Sequence, residues 1–257
     1  MHVNGQGPFD FVIDTGAAMS IVTEELAGII GLKSEETKEA VGSAGKRIEV
    51  PLGTAGLISI GETSVEDVRV GIMKQLPKCV DAQGALGYNF LKGFVLTIDY
   101  ASNVLTFASP SDHKGPEPSL QTYVPLRLAR ADRPVLLVDV LVNTQETYQF
   151  IVDTGASQTV VSPELARRMS IRETNGDSLI GVGGATSSSV GVLRSLSIGE
   201  ATLRNVQVIS VDIFSALSQA IGTKFDGILG FNFLRKFKLE IDYPHERLRL
   251  EKQVHAG

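Results

Sequence analysis

FDFVIDTGAAMSIVTEELA (residues 9–27) aligns without gaps on YQFIVDTGASQTVVSPELA (residues 148–166), with identity at nine of nineteen positions. Most of the other positions exchange apolar for apolar or hydroxyl for hydroxyl residues. Each copy reads as an apolar strand running into Asp-Thr-Gly-Ala, then a second apolar stretch, then a short helix. In the second copy Ser162 is placed to cap that helix, with Pro163 in its first turn before Glu164; Thr23 with Glu24 and Glu25 does the same in the first.

The likeness extends outward from these blocks. ALGYNFLKGFVLTIDYASNVLTF (85–107) aligns on ILGFNFLRKFKLEIDYPHERLRL (228–250) with eleven identities in twenty-three, and GLISIGETSVEDVRV (56–70) echoes RSLSIGEATLRNVQV (194–208), in the same order in both copies. The chain therefore divides into an N-terminal half, 1–108, and a C-terminal half, 123–257. SPSDHKGPEPSLQT (109–122), rich in Pro, Ser, Gly and charge, reads as the linker. Within each half a glycine-rich polar segment, GSAG (42–45) or GVGG (181–184), lies between strand-like runs and reads as a hairpin tip. Each half closes with a hydrophobic-hydrophobic-Gly strand, a brief amphipathic helix (Asn89–Phe94, Asn232–Phe237) and a hairpin turning after Ile-Asp-Tyr.

Composition agrees with a mainly β chain. In 257 residues there are 26 glycines, no Trp and 6% aromatics, and the apolar runs are short and rich in Val, Ile and Leu. The net charge of −5 comes from 24 scattered Lys and Arg against 29 Asp and Glu, so no basic field exists for a nucleic acid. No run of about 18 apolar residues offers a membrane span. Cys79 alone forms no intramolecular disulfide or Cys-based metal site, and His2, His113, His245 and His255 sit in polar or terminal contexts; neither a metal nor another cofactor is expected.

One Asp-Thr-Gly is ordinarily turn chemistry. Two, one per repeat, carry more: a duplicated fold packed about an approximate two-fold axis brings the strand ends together and sets Asp14 beside Asp153. Carboxylates about 3 Å apart cannot both ionise and share one proton, so one accepts while the other donates. Such a pair takes a proton from water and gives one to a carbonyl oxygen, which amide hydrolysis needs when neither metal nor covalent nucleophile is at hand. Asp99 and Asp242, in the Ile-Asp-Tyr copies, read as turn-capping residues.

Asp14-Thr15-Gly16-Ala17 with Ser20, Asp153-Thr154-Gly155-Ala156 with Thr159, and the later Ala85-Leu86-Gly87 and Ile228-Leu229-Gly230, each followed by Asn-Phe-Leu, resemble the signatures of retropepsin-like and pepsin-like aspartic proteases, bacterial retropepsin-like members most of all. The likeness covers most of both halves. It implies two retropepsin-like (acid protease) β-barrel halves related by a pseudo-two-fold axis, and an aspartic endopeptidase whose catalytic pair is Asp14 and Asp153. By the same likeness the Thr15 and Thr154 hydroxyls bond across the pseudo-dyad, Gly16 and Gly155 line the floor, and Ala17 and Ala156 complete the loops. The segments Gly42, Ser43, Ala44, Gly45 and Gly181, Val182, Gly183, Gly184 resemble flaps that close on an extended polypeptide substrate. One chain then suffices for one active site.

The sequence departs from the family pattern in three places. Neither candidate flap carries an aromatic residue. Ala17 and Ala156 stand where many pepsin-like enzymes have a hydroxyl that donates to the carboxylate, so the pair is expected to keep its shared proton to higher pH, although Ser157 follows Ala156. The second half has strand-like YVPLRL (123–128) and VLLVDVLV (135–142) before its motif, whereas the first retains only His2-Val3. The chain is thus expected to be trimmed at its start, which leaves a sheet edge open or has some other segment take the missing strand's place. Composition is silent on the compartment; the bacterial resemblance leans toward a periplasmic or exported protein whose signal peptide is absent from this sequence. The alternative function is a catalytically silent peptide-binding or assembly module on the same fold. A serine-elbow or zinc hydrolase lacks its motif here, with no Gly-x-Ser-x-Gly and no His-Glu-x-x-His.

Overall fold

The computed structural model describes residues 1–77, 80–111, 123–131 and 133–253. Cys79, His113, His255 and most of the expected linker lie outside the described residues.

The first repeat builds a sheet in the order His2–Val3, Arg47–Ile60, Thr63–Met73, Ser20–Thr23, Gly84–Leu86, Phe11–Ile13, with Glu36–Val41 laid on Arg47–Ile60. The second repeats it: Arg133–Val142, Glu146–Val152, Gly227–Leu229, Thr159–Val161, Ala201–Val211 and Ser188–Ile198 follow one another. There Arg133–Val142 also pairs with Ser188–Ile198, through Leu141 with Ser197 and Val142 with Leu196, and this closes the barrel. Both repeats thus form the retropepsin-like β-barrel halves that the sequence implies.

The halves differ at the expected edge. His2 and Val3 pair with Ser59 and Ile58, the place that Leu141 and Val142 hold in the other half. The Met1 carbonyl accepts the Phe9 amide at 2.7 Å, and beyond it no strand lies along Phe11–Ile13 among the described residues. Burial records the difference: Ile151 and Val160 are each 4% exposed under the second half's extra strands, while Val12 and Ile21 remain half-buried.

The run 123–128 is not one strand. Val124–Pro125 pairs with Arg247–Lys252, whereas Arg127–Arg130 pairs with Arg133–Val142. Leu126 lies between them and donates its amide to the Glu246 carbonyl at 2.7 Å, so the chain passes from one sheet to another there.

Helix starts follow the sequence cues. The Thr23 and Ser162 hydroxyls accept the amides of Leu26 and Leu165 at 3.2 and 3.1 Å. The later helices are shorter and earlier than expected, Tyr88–Leu91 and Phe231–Leu234, because Gly87 and Gly230 occupy their N-cap positions in extended conformation.

The closing hairpins do not stay within their own halves. Phe237–Asp242 pairs antiparallel with Val95–Asp99, Lys238 opposite Asp99 through Asp242 opposite Val95, so both repeats share one sheet. Beneath it Leu86, Phe90 and Leu96 pack in one core with Leu229, Phe233 and Ile241. A second cluster, with Ile151, Ile213, Phe214 and Phe225, lies in the second half. Among the described residues no helix is long and apolar enough to cross a membrane.

Candidate active site

Each Asp-Thr-Gly loop leaves a strand that is pinned by a parallel neighbour. Phe11, Val12 and Ile13 pair with Gly84, Ala85 and Leu86; Phe150, Ile151 and Val152 pair with Gly227, Ile228 and Leu229. The Leu86 carbonyl then accepts the Asp14 amide at 2.9 Å, and the Leu229 carbonyl accepts the Asp153 amide at 3.1 Å. The glycines that follow admit the loops closely. A Cβ on Gly87 would stand 2.6 Å from the Met19 carbonyl carbon, and one on Gly230 would strike the Gln158 carbonyl.

The two loops meet across the interface between the halves. The Thr15 amide donates to the Thr154 hydroxyl at 3.2 Å, and the Thr154 amide donates to the Thr15 hydroxyl at 3.0 Å. The Thr15 hydroxyl itself donates to the Val152 carbonyl at 2.7 Å, and the Thr154 hydroxyl does the same to the Ile13 carbonyl. Gly16 lies against the Asp153 carboxyl, and Gly155 against that of Asp14. A Cβ on Gly16 would fall 2.6 Å from Asp153 Oδ2, and one on Gly155 would fall 2.8 Å from Asp14 Cγ. Here glycine is required for close approach.

Asp14 and Asp153 are hydrogen-bonded to each other. Burial is the largest influence on both and raises both pKa values; the Asp14 charge pushes Asp153 up further, well above 3.8. Backbone amides oppose this without overcoming it: Gly16 donates to Asp14 Oδ1 at 3.1 Å, and Gly155 and Ala156 donate to Asp153 Oδ1 at 2.8 and 3.1 Å. The pair thus holds a proton above the usual carboxylate range, and one member can accept a proton while the other donates. Ser157 is exposed, and among the described residues no hydrogen bond joins its hydroxyl to Asp153.

Ser20 and Thr159 anchor the loops through two residues to which the sequence reading assigned no role. Asn89 Oδ1 accepts from the Ser20 amide and hydroxyl at 2.8 and 2.9 Å, and Asn89 Nδ2 donates to the Arg69 carbonyl at 2.6 Å. Asn232 does the same with Thr159, at 2.7 and 2.8 Å, and with the Gln207 carbonyl at 2.8 Å. The hydroxyls in turn accept the Gly87 and Gly230 amides. The signal was available: Asn recurs at the same place in both copies of Asn-Phe-Leu, and only an amide offers an acceptor and a donor side by side.

The two glycine tips meet. The Ala44 amide donates to the Val182 carbonyl at 3.1 Å, and the Val182 amide donates to Ser43 Oγ at 2.9 Å. The Gly42 backbone lies directly against the Val182 carbonyl, and Gly181 against Ser43. Gly45, Gly183 and Gly184 have φ of +76°, +95° and +130°, which these turns require. Asp99 and Asp242 cap turns: Asp99 accepts the amides of Ala101 and Ser102 at 3.1 and 3.2 Å, and Asp242 accepts from the His245 amide at 3.2 Å and Arg247 Nε at 2.7 Å.

A family model described as aspartyl protease matches residues 1–90 and 138–233. Among solved structures the chain is similar to a retropepsin-like aspartic protease from Rickettsia conorii, at 20% identity over 51% of this chain and 89% of that one, with a TM-score of 0.38. It is also similar to EIAV protease complexed with the inhibitor HBY-793, at 19% identity over 41% of this chain and 90% of that one, with a TM-score of 0.33. No curated protein matches the chain.

Proposed function

The chain belongs to the aspartyl protease family, and from that premise we propose that it is an endopeptidase in which Asp14 and Asp153 activate water between the two halves. The observation that carries this reading is the reciprocal seating of Gly16 on the Asp153 carboxyl and Gly155 on that of Asp14, which leaves the two carboxyl groups bonded to each other. The ionised member takes a proton from water, the resulting hydroxide attacks the peptide carbonyl carbon, and the protonated member gives its proton to the carbonyl oxygen. Collapse of the tetrahedral diol breaks the C–N bond as the amine takes a proton from one carboxyl and a diol hydroxyl returns its proton to the other, leaving a carboxylic acid product and a dyad that again holds one proton. Thr15 and Thr154 hold the loops, and neither metal nor cofactor is assigned a part.

The tips 42–45 and 181–184 are the flaps in this reading, closing over an extended polypeptide whose backbone pairs strand-fashion. The halves are 1–108 and 123–257, joined by 109–122, and one chain makes one site. The test is digestion of a peptide library by the purified chain, with Asp14→Asn and Asp153→Asn as controls. We expect cleavage by the natural chain and a loss of at least about 10²- to 10⁴-fold in each folded variant. Cleavage that persists in either variant overturns the assignment.

A further inference from the structure

The two flaps are built differently. The first ends a hairpin whose return strand, Arg47–Ile60, runs unbroken into the body of the sheet, and its ladder extends from Val41 opposite Arg47 to Glu36 opposite Leu52. The second hairpin, Leu179–Gly181 with Gly184–Thr186, forms a small sheet of its own with three paired positions. Its ladder stops at Leu179 opposite Thr186 and is separate from the next pairing toward the body, Thr174 and Asn175 with Val190 and Ser189, and two positive-φ glycines stand at its tip.

Their supports differ as well. Helix Phe214–Ile221 of the second half packs on Glu36–Val41 of the first flap. Ile213, just before that helix and 3% exposed, faces the tip: a Cβ on Gly45 would stand 3.2 Å from Ile213 Cγ2. The corresponding stretch of the first half, between Thr63–Met73 and Gly84–Leu86, has no helix among the described residues. The second flap is seated at its base by Leu179 against the Ile213 cluster. Its tip bonds run to the first flap, from Ser43, Ala44 and Lys46 to Val182, Ala185 and Thr186. Ser43 and Lys46 are exposed, so water replaces their bonds readily when the tips part.

Resting on the flap reading above, we infer that Ile213 is a positioning residue that docks the first flap as a fixed roof, and that the second flap, residues 179–186, is the gate through which the polypeptide is admitted. The roof moves only with its sheet and the helix beneath it, whereas the gate opens by breaking tip bonds and turning about its base.

Hydrogen–deuterium exchange on the full unliganded chain tests this independently of cleavage. In the natural chain, amides of 179–186 are expected to exchange about tenfold or more faster than the ladder amides of 36–41 and 47–52. Ser43→Ala, at an exposed position, speeds exchange in the second hairpin alone. Ile213→Ala brings the first hairpin up toward the second, Ile213→Val leaves it protected, and with a cleaved peptide Ile213→Ala raises KM more than it lowers kcat. Equal or reversed exchange of the two hairpins in the natural chain overturns the inference, as does a first hairpin still protected in a folded Ile213→Ala. Should Ile213→Ala fail to fold, the natural-chain comparison and Ser43→Ala decide. A chain that shows the expected exchange but cleaves nothing refutes the protease reading and leaves the mobility difference standing.

Discussion

Thr15 and Thr154 exchange hydrogen bonds across the two halves, the amide of each donating to the hydroxyl of the other at 3.2 and 3.0 Å. Each hydroxyl also donates to a carbonyl of the opposite half, so removing one leaves a backbone N–H and a backbone C=O without partners at a water-poor interface. Thr15→Val, nearly isosteric, is therefore expected to cost about 2–4 kcal/mol, whereas Thr15→Ser, which keeps the hydroxyl, costs about 1 kcal/mol or less. Urea unfolding of the two variants checks this, and equal stabilities would show that the hydroxyl bonds contribute nothing.

The raised pKa of Asp153 has a consequence for stability. Below pH 3.8 the carboxyl is protonated in folded and unfolded chains alike, and its contribution is fully present. As pH rises, the unfolded chain releases its proton first, so stability falls until the folded pKa is passed. Asp153→Asn removes the titrating group, and its amide oxygen still accepts from Gly155 and Ala156. We expect the variant to melt above the natural chain at neutral pH, with the difference vanishing in acid. Melting curves from pH 3 to 8 measure it, and a difference that is constant or grows toward acid contradicts the sign.

Much of this was legible in the sequence because the repeat writes the same local pattern twice. The Asp-Thr-Gly loops, the helix caps at Thr23 and Ser162, and the strands that run to Leu86 and Leu229 just before Gly87 and Gly230 are set by neighbours in sequence, and those neighbours are duplicated. What escaped depends on distant partners. Nothing local to Ile-Asp-Tyr shows that Lys238 lies opposite Asp99 in a shared sheet. Asn89 reaches Ser20 across 69 positions, and Ile213 meets the glycine tip at Gly45 in the other half. The helix Phe214–Ile221 occupies the longer of two corresponding connections, 77 residues from Asp153 to Gly230 against 73 from Asp14 to Gly87, and that difference was its signal.

Tyr243 is 4% exposed and its hydroxyl has no partner among the described residues. Its ring meets Tyr88 edge-on at 5.8 Å, so the side chain is held by packing. Tyr243→Phe keeps the ring and removes a desolvated hydroxyl. The expected effect is neutral to about 1–2 kcal/mol stabilising. A loss of more than about 1 kcal/mol in denaturant unfolding would mean that an ordered water bonds the hydroxyl.

If one chain makes one site, dilution leaves specific activity unchanged. The bonds between Thr15 and Thr154, the shared sheet and the joined glycine tips are all made within a single chain. Sedimentation and activity are to be followed together over a dilution series, with a constant rate per chain expected. Activity that falls as a dimer dissociates would show that halves of different chains complete each other's site.

The alanines after each Asp-Thr-Gly set the last expectation, the position of the pH optimum. Burial already holds the dyad's proton above the ordinary carboxylate range; at Asp14 the Asp153 side chain and the amides of Gly16 and Ala17 oppose it, and at Asp153 the amides of Gly155 and Ala156 do, with no hydroxyl of the following residue among them. A serine hydroxyl at either place would donate to the carboxylate and favour its ionised form. Catalysis needs one proton on the pair, so the upper limb of kcat/KM against pH marks its loss. Ala17→Ser with Ala156→Ser is therefore expected to move that limb to lower pH and to turn a mildly acidic or neutral optimum toward a more acidic one. Since Ser157 makes no bond to Asp153 in the natural chain, it does not already supply this donor. An upper limb that stays in place, or moves to higher pH, would mean that the enclosure of the dyad, rather than the missing hydroxyls, sets the optimum.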